Sequence, residues 1–160
     1  MQSIKLKTAF KALMVSLLAY AEVSGASDLP PKMKAIIPMG GGGIFARAIN
    51  PWSNEIYEAS FSDKKLYIIN GATDRVKDSI ALDYGPQGVD YYRAADQILM
   101  VNMGTESLEI FDRKTKTLVG APIPIPGHHA VKVAVDQGLG KAWVTSMHGG
   151  SVSVVDLRAC

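Results

Sequence analysis

Three histidines are the first residues in this chain with the means to do chemistry. His128 and His129 are adjacent in the stretch PGHHAVKVAVD, Pro126 to Asp136, and His148 follows. Imidazole suits copper, zinc or iron, so all three are candidate metal ligands, and His128 and His129 are the candidate binding residues. A metal centre needs three or four converging ligands, and the spacing suggests that His148, in a later turn, points to a different radius or face. The other reading is that these are polar loop residues, one of them hydrogen-bonded to a backbone carbonyl. The single cysteine, Cys160, is the last residue, so there is no Cys-x-x-Cys pair for zinc and no Cys-x-x-Cys-His for attached haem. Ser146 lies close to His148, but any strand–turn junction would produce that, and no Ser, His and Asp spacing supports a nucleophile. No catalytic residue is assigned and no cofactor is firmly implied.

Other stretches invite chemistry less strongly. Gly40 to Gly43 is a run of four glycines, but a phosphate cradle needs a following helix and a Lys-Ser/Thr pair; here a strand-like segment follows, which suits a flexible connection. Pro122-Ile-Pro-Ile-Pro126 could be a polyproline ligand, or the end of an edge strand, where missing amide donors do no harm. Trp52, Trp143 and the tyrosines read as packing residues. Asn70, Asp112 and Asp156 recur regularly enough to read as turn caps rather than a carboxylate ring.

The elements that must position these residues begin after a distinct leader. Lys5, Lys7 and Lys11 precede the apolar run Ala12 to Tyr20, and Ala19-Tyr20-Ala21 is a small-x-small cleavage pattern. This reads as a secretory signal peptide, residues 1–21, with a cut after Ala26 as the alternative. An anchor or a buried helix are the competing readings, but the apolar run is about half the roughly 20 residues that a spanning helix needs. Residues 22–33 read as a linker. The whole chain has 160 residues and a formal charge of +2, the size of one domain. Without the leader, 14 Lys plus Arg face 15 Asp plus Glu, a charge of −1. No basic patch remains to suggest nucleic acid, and no membrane span is expected once the leader is removed. An exported chain with one cysteine has no internal disulfide and must be held by packing and sheet hydrogen bonds. Cys160 would then be free for an intermolecular bridge, or would await a partner cysteine beyond the chain's end.

Three segments align without gaps: Asn50 to Asn70, Tyr92 to Asp112 and Asp136 to Asp156. Each carries an apolar pair, a polar turn and an apolar run ending in Asn or Asp. A period in the low forties carried by strand-like segments marks a propeller or a related array. Alternation predicts strands at Val131 to Asp136, Lys141 to Ser146 and Ser151 to Asp156. Outer strands are predicted at Val76 to Leu82 and at Leu118 to Ile123, and Lys34 to Met39 reads as an outer strand without inner partners. The three units fall at about 44–82, 86–123 and 129–156, within a domain of 34–160. No sustained helical period follows the leader, so the fold class is all-β.

The pattern is specific in Ile98-Leu-Met-Val-Asn102 and Ser107-Leu-Glu-Ile-Phe-Asp112, in Ala142-Trp-Val-Thr-Ser146 and Ser151-Val-Ser-Val-Val-Asp156, and in Pro86-Gln-Gly-Val89. It resembles the YVTN-type β-propeller repeat of bacterial exported proteins. The resemblance implies a partial β-propeller of about three four-stranded antiparallel blades, the last incomplete, in a periplasmic or secreted protein. The first unit departs most from the pattern, at Asn50-Pro51 and Ser62 to Lys65. Closed propellers have four to eight blades, so the chain is expected to be the N-terminal part of a longer propeller, a truncated or split product, or a subunit that closes with copies of itself. The expected function is a binding or scaffold module taking a protein or small-molecule ligand at the channel, with self-association possible through open blade edges. The alternative is a propeller enzyme or enzyme subunit: a lactonase-like hydrolase, a quinoprotein or a copper oxidoreductase. The adjacent histidines locally resemble those of copper-binding propellers of the nitrous oxide reductase type.

Overall fold

The computed structural model describes residues 32–159; the predicted signal peptide, nearly all of the 22–33 linker and Cys160 lie outside them. The chain divides into Met1–Lys34 and Ala35–Cys160, and all the strands belong to the second unit. They are β1 Ile44–Asn50, β2 Glu55–Ser60, β3 Lys65–Asn70, β4 Arg75–Ala81, β5 Pro86–Tyr92, β6 Gln97–Asn102, β7 Ser107–Asp112, β8 Ile123–Pro124, β9 Ala130–Asp136, β10 Lys141–Ser146 and β11 Ser151–Asp156. A 3₁₀ turn, Leu157–Ala159, follows β11.

The strands form three antiparallel sheets in chain order: β1 to β4, β5 to β8, and β9 to β11. Each is a meander in which neighbouring strands follow one another along the chain; every within-sheet connection is a four-residue turn except the one from β7 to β8, which takes residues 113–122, and the short turns leave no room for a crossover. The turns are built locally. Asn50, Asn70, Asn102, Asp112 and Asp136 end strands, and each side-chain oxygen accepts the amide hydrogens two and three residues on. Asp156 likewise accepts from Arg158 N at 3.0 Å. These Asx turns are the capping predicted for the recurring Asn and Asp residues. The fourth residue after each of these strand ends is left-handed wherever a turn returns to the sheet, with φ of 52° at Asn54 and Asp74, 60° at Lys116 and 61° at Gly140.

Alternation along the strands gives each sheet two faces, and both are used. Tyr57 and Ile68 of the first sheet pack on Tyr91 and Ile98 of the second, with Ala59, Leu66 and Met100 beside them. On the other face of the second sheet, Leu99, Val101, Leu108 and Ile110 pack on Ala142 and Val144 of the third. The stacking is therefore front to back, and it repeats. At the inner edge, Lys132 Nζ on β9 donates to the Phe45 carbonyl on β1 at 2.7 Å. The first and third sheets thus come within a lysine's reach of each other past the sheet between them.

Several strand expectations change. The first unit, which departs most from the repeat, forms a complete four-stranded sheet. The outer strand predicted at Leu118 to Ile123 is broken: Leu118 makes one bridge to Phe111, Gly120 turns with φ 70°, and only Ile123 and Pro124 pair with β7. Lys34 to Met39 does not form a strand. Trp52 and Trp143 are 55% and 41% exposed, so they are not core packing residues, whereas Tyr57, Tyr91 and Tyr92 are buried as expected.

Candidate functional site

Two loops at one end of the third sheet build the histidine site. His128 and His129 lie in the connection into β9, and His148 lies in the turn between β10 and β11. An antiparallel meander puts the connection entering its first strand and the turn after its second strand at the same end. The expectation that His148 faces elsewhere is therefore wrong. The rings of His129 and His148 have centroids 3.9 Å apart, inclined at 60°. The backbone sews the loops together, with Met147 N donating to His129 O at 2.9 Å and His148 N donating to His128 O at 3.3 Å.

Glycines permit this approach. A Cβ on Gly149 would lie 1.9 Å from the Gly127 carbonyl oxygen, and one on Gly127, where φ is 118°, would lie 2.6 Å from Ser151 Oγ. Ser146 Oγ donates to Pro126 O at 3.1 Å and holds the same connection. His128 and His129 both adopt left-handed backbone, with φ of 58° and 56°, a conformation that costs non-glycine residues about 1–3 kcal/mol where surroundings impose it. His128 contacts a carboxylate instead. Its ring, 82% exposed, places Nδ1 3.2 Å from Glu106 Oε1.

The structure thus brings two of the three histidines together and pairs the third with a carboxylate. Among the described residues, no group of three or more His, Cys, Asp or Glu side chains is arranged to hold a metal ion. The loops offer two imidazoles in tilted contact and, separately, an imidazole paired with an acid, groups suited to accepting or donating hydrogen bonds at a loop surface. The Gly40 to Gly43 run lies at the matching end of the first sheet, where Gly41 N donates to Asp63 Oδ2 at 2.7 Å. That carboxylate takes the place an anion would need.

A second polar cluster, not anticipated from the sequence, lies at the opposite end of the sheets. Arg113 grips Asp96 with two hydrogen bonds, Nε to Oδ1 at 2.5 Å and Nη2 to Oδ2 at 2.9 Å, and places Nη1 3.4 Å from Glu55 Oε2 on the neighbouring sheet. Glu55 is buried and also receives Lys77 Nζ, Tyr57 Oη and Ser53 Oγ. Burial opposes its ionisation, but these donors outweigh burial and hold its pKa below the ordinary carboxylate value. Asp96 is held low chiefly by the Arg113 hydrogen bonds. Burial, aided by the neighbouring Glu55 carboxylate, pushes the Tyr57 phenol up. Nearby, Arg93 stacks over Trp52 at 4.1 Å, and the two residues help to line a cleft of about 320 Å³ with Tyr91 and Arg113. The cluster spends its charges on one another and joins two sheets, the work of a structural latch. Its members are scattered from Glu55 to Arg113, so no local motif could have revealed it.

No protein-family model matches the chain, and no curated protein matches it by sequence. Its structure is similar to a solved chain described as Kuenenia stuttgartiensis Hydrazine Synthase, with a TM-score of 0.66 and 14% identity over 81% of this chain. The alignment takes in 37% of that chain, so the present chain spans well under half its length. At 14% identity the likeness speaks to the fold alone: an all-β arrangement of stacked antiparallel sheets of three or four strands.

Proposed function

We propose that the chain is an exported binding or scaffold module of the β-propeller type, and that its ligand surface is the loop end carrying His128, His129 and His148. The observation that carries this reading is the His129–His148 pair, non-repeated residues that two close-packed loops bring to 3.9 Å at the end of a repeated sheet. The propeller form is supported by the front-to-back stacking of three meanders, by the inward reach of Lys132 to Phe45, and by similarity to a hydrazine synthase chain, a protein that has a propeller. The YVTN-type resemblance fits the same architecture. Function lives in the site rather than the fold, and this site presents hydrogen-bonding imidazoles without a nucleophile and its base. A binding surface is the simpler reading.

Two measurements test it. Titration of the purified protein with Cu(II) or Zn(II) separates a binding module from a copper oxidoreductase. The module reading expects no tight, stoichiometric uptake beyond that of a His128→Ala/His129→Ala variant; tight uptake lost in that variant would favour the enzyme. Export is tested by expressing the full chain in a Gram-negative bacterium and sequencing the N-terminus of the periplasmic product. A mature terminus after Ala21 or Ala26 supports it, and retention of Met1 in the cytoplasm counts against it.

A further inference from the structure

The turns between the first and second strands of the three sheets lie at one end of the stack, and the two junctions between them are built differently. Counting from the aligned Asn50, Tyr92 and Asp136, the first turn position is Pro51, Arg93 or Gln137. At the junction of the second and third sheets Gln137 acts as a stitch. Its Oε1 accepts from Arg93 N at 3.0 Å, and its Nε2 donates to Tyr91 O. The same stitch cannot form between the first and second sheets. The residue that would supply the amide hydrogen is Pro51, and proline has none. The residue that would accept it is Arg93, whose side chain carries donors only. This junction instead holds the cleft of about 320 Å³ that Trp52, Tyr91, Arg93 and Arg113 help to line.

Arg93 is held in a different way. Its guanidinium stacks over the Trp52 ring at 4.1 Å, while its backbone is fixed from the other side by Gln137. Trp52 is fixed too: its N donates to Asn50 Oδ1 at 3.1 Å, and its ring leans on Tyr91 with centroids 6.5 Å apart. A guanidinium stacked on a ring keeps its N–H donors in the plane, directed away from the ring. Among the described residues, Arg47, Arg113 and Arg158 each hold a carboxylate, whereas Arg93 holds none. The cleft therefore carries an oriented, unmatched fork of donors beside an aromatic wall that is 55% exposed.

The neighbouring charges set what fits the fork. Asp96 lines the same cleft, but its carboxylate is taken by Arg113, by Tyr91 Oη at 2.9 Å and by Lys114 Nζ at 4.0 Å. Arg113 extends its remaining reach to Glu55. One carboxylate would match the Arg93 fork with two parallel hydrogen bonds. A phosphate dianion would set its second charge beside Asp96. The cleft volume is at the low end of the roughly 300–1,000 Å³ of small-molecule sites, and the open part of Trp52 offers a flat apolar surface.

We propose that this cleft binds a small ligand carrying a single carboxylate on a flat, apolar body, with the carboxylate on the Arg93 guanidinium and the body against Trp52. The site lies at the end of the sheets opposite the histidine loops and stands independently of them.

The test is an NMR titration of the ¹⁵N-labelled full chain with sodium benzoate, at constant ionic strength, following the Trp52 indole N–H and the Arg93 Nε–H. A Trp143→Phe variant assigns the indole signal. Benzoate should shift both signals saturably in the millimolar range, as suits a ligand of so few atoms. Benzamide, which keeps the ring without the charge, should bind at least about 10-fold more weakly, and so should benzoate to Arg93→Gln. Arg93→Lys should recover only part of the loss, because an ammonium has no fork. Trp52→Leu should also weaken benzoate while leaving acetate unchanged. Arg93 and Trp52 are both exposed, so the variants should keep the wild-type melting temperature and amide spectrum. No saturable shift at tens of millimolar benzoate overturns the site, as does equal binding of benzoate and benzamide or binding indifferent to Arg93→Gln. Inorganic phosphate shifting the same signals at lower concentration than benzoate overturns the carboxylate assignment.

Discussion

Gly149 sits on the carbonyl of Gly127, so close that a Cβ at residue 149 would fall 1.9 Å from that oxygen. This contact lets the connection into β9 touch the turn after β10, and it brings His129 to His148.

Gly149→Ala should therefore cost about 1–3 kcal/mol, the range for forced overpacking, read as a fall in the melting temperature. It should also separate the two imidazoles, visible as a change in their NMR shifts. Gly42→Ala is the control, since a Cβ there meets nothing within 4 Å, and it should change the melting temperature little.

Left-handed turn positions hold residues of unequal suitability. Lys64 has φ 51° and Asn54 has φ 52°. Asparagine tolerates this conformation, whereas other side chains meet a penalty of about 1–2 kcal/mol. Lys64→Gly should stabilise by up to about 1 kcal/mol after the extra chain entropy of glycine is subtracted. Asn54→Gly should be nearly neutral. Urea denaturation of both variants checks the contrast.

Arg113→Met should destabilise the protein by about 1–3 kcal/mol, the cost of leaving a buried acceptor short of a donor. Arg113→Lys should recover only part of this, since an ammonium cannot grip Asp96 with a fork. The pKa values of Asp96 and Glu55 lie below their ordinary values in the folded state. Their contribution is then complete above about pH 4–4.5 and is lost as pH falls through the lower folded values. The stability gap between wild type and Arg113→Met should narrow below about pH 4.

Asn102 and Asn70 both cap turns, but Asn102 also donates Nδ2 to Glu109 Oε1 at 3.0 Å. Asn70→Ala should cost about 0.5–1.5 kcal/mol, the usual net value of such hydrogen bonds. Asn102→Ala should cost more, about 1–3 kcal/mol, because it also strips a donor from the buried Glu109. Thermal unfolding of the two variants side by side decides it.

Local rules reached most of the strands. Lys141 to Ser146 and Ser151 to Asp156 match β10 and β11 residue for residue, because alternation and Asx caps are written into neighbouring positions. The same reasoning failed at Leu118 to Ile123, where Gly120 and the prolines after it break a run whose composition suits a strand. It failed again at Trp143, whose apolar character suited a core position. Burial there depends on what covers the third sheet's front face, and neighbouring residues carry no record of that.

The division has a physical cause. Sequence by itself determined an all-β chain, its three units, its turns and their caps, since each rests on preferences spanning fewer than about ten residues. Only the tertiary structure decided that His129 meets His148, that Arg113 reaches Glu55 across 58 positions, and that the third sheet keeps an apolar face in the open. Those relations arise when sheets stack, and stacking is set by the shapes of whole faces rather than by the order of residues along any one strand.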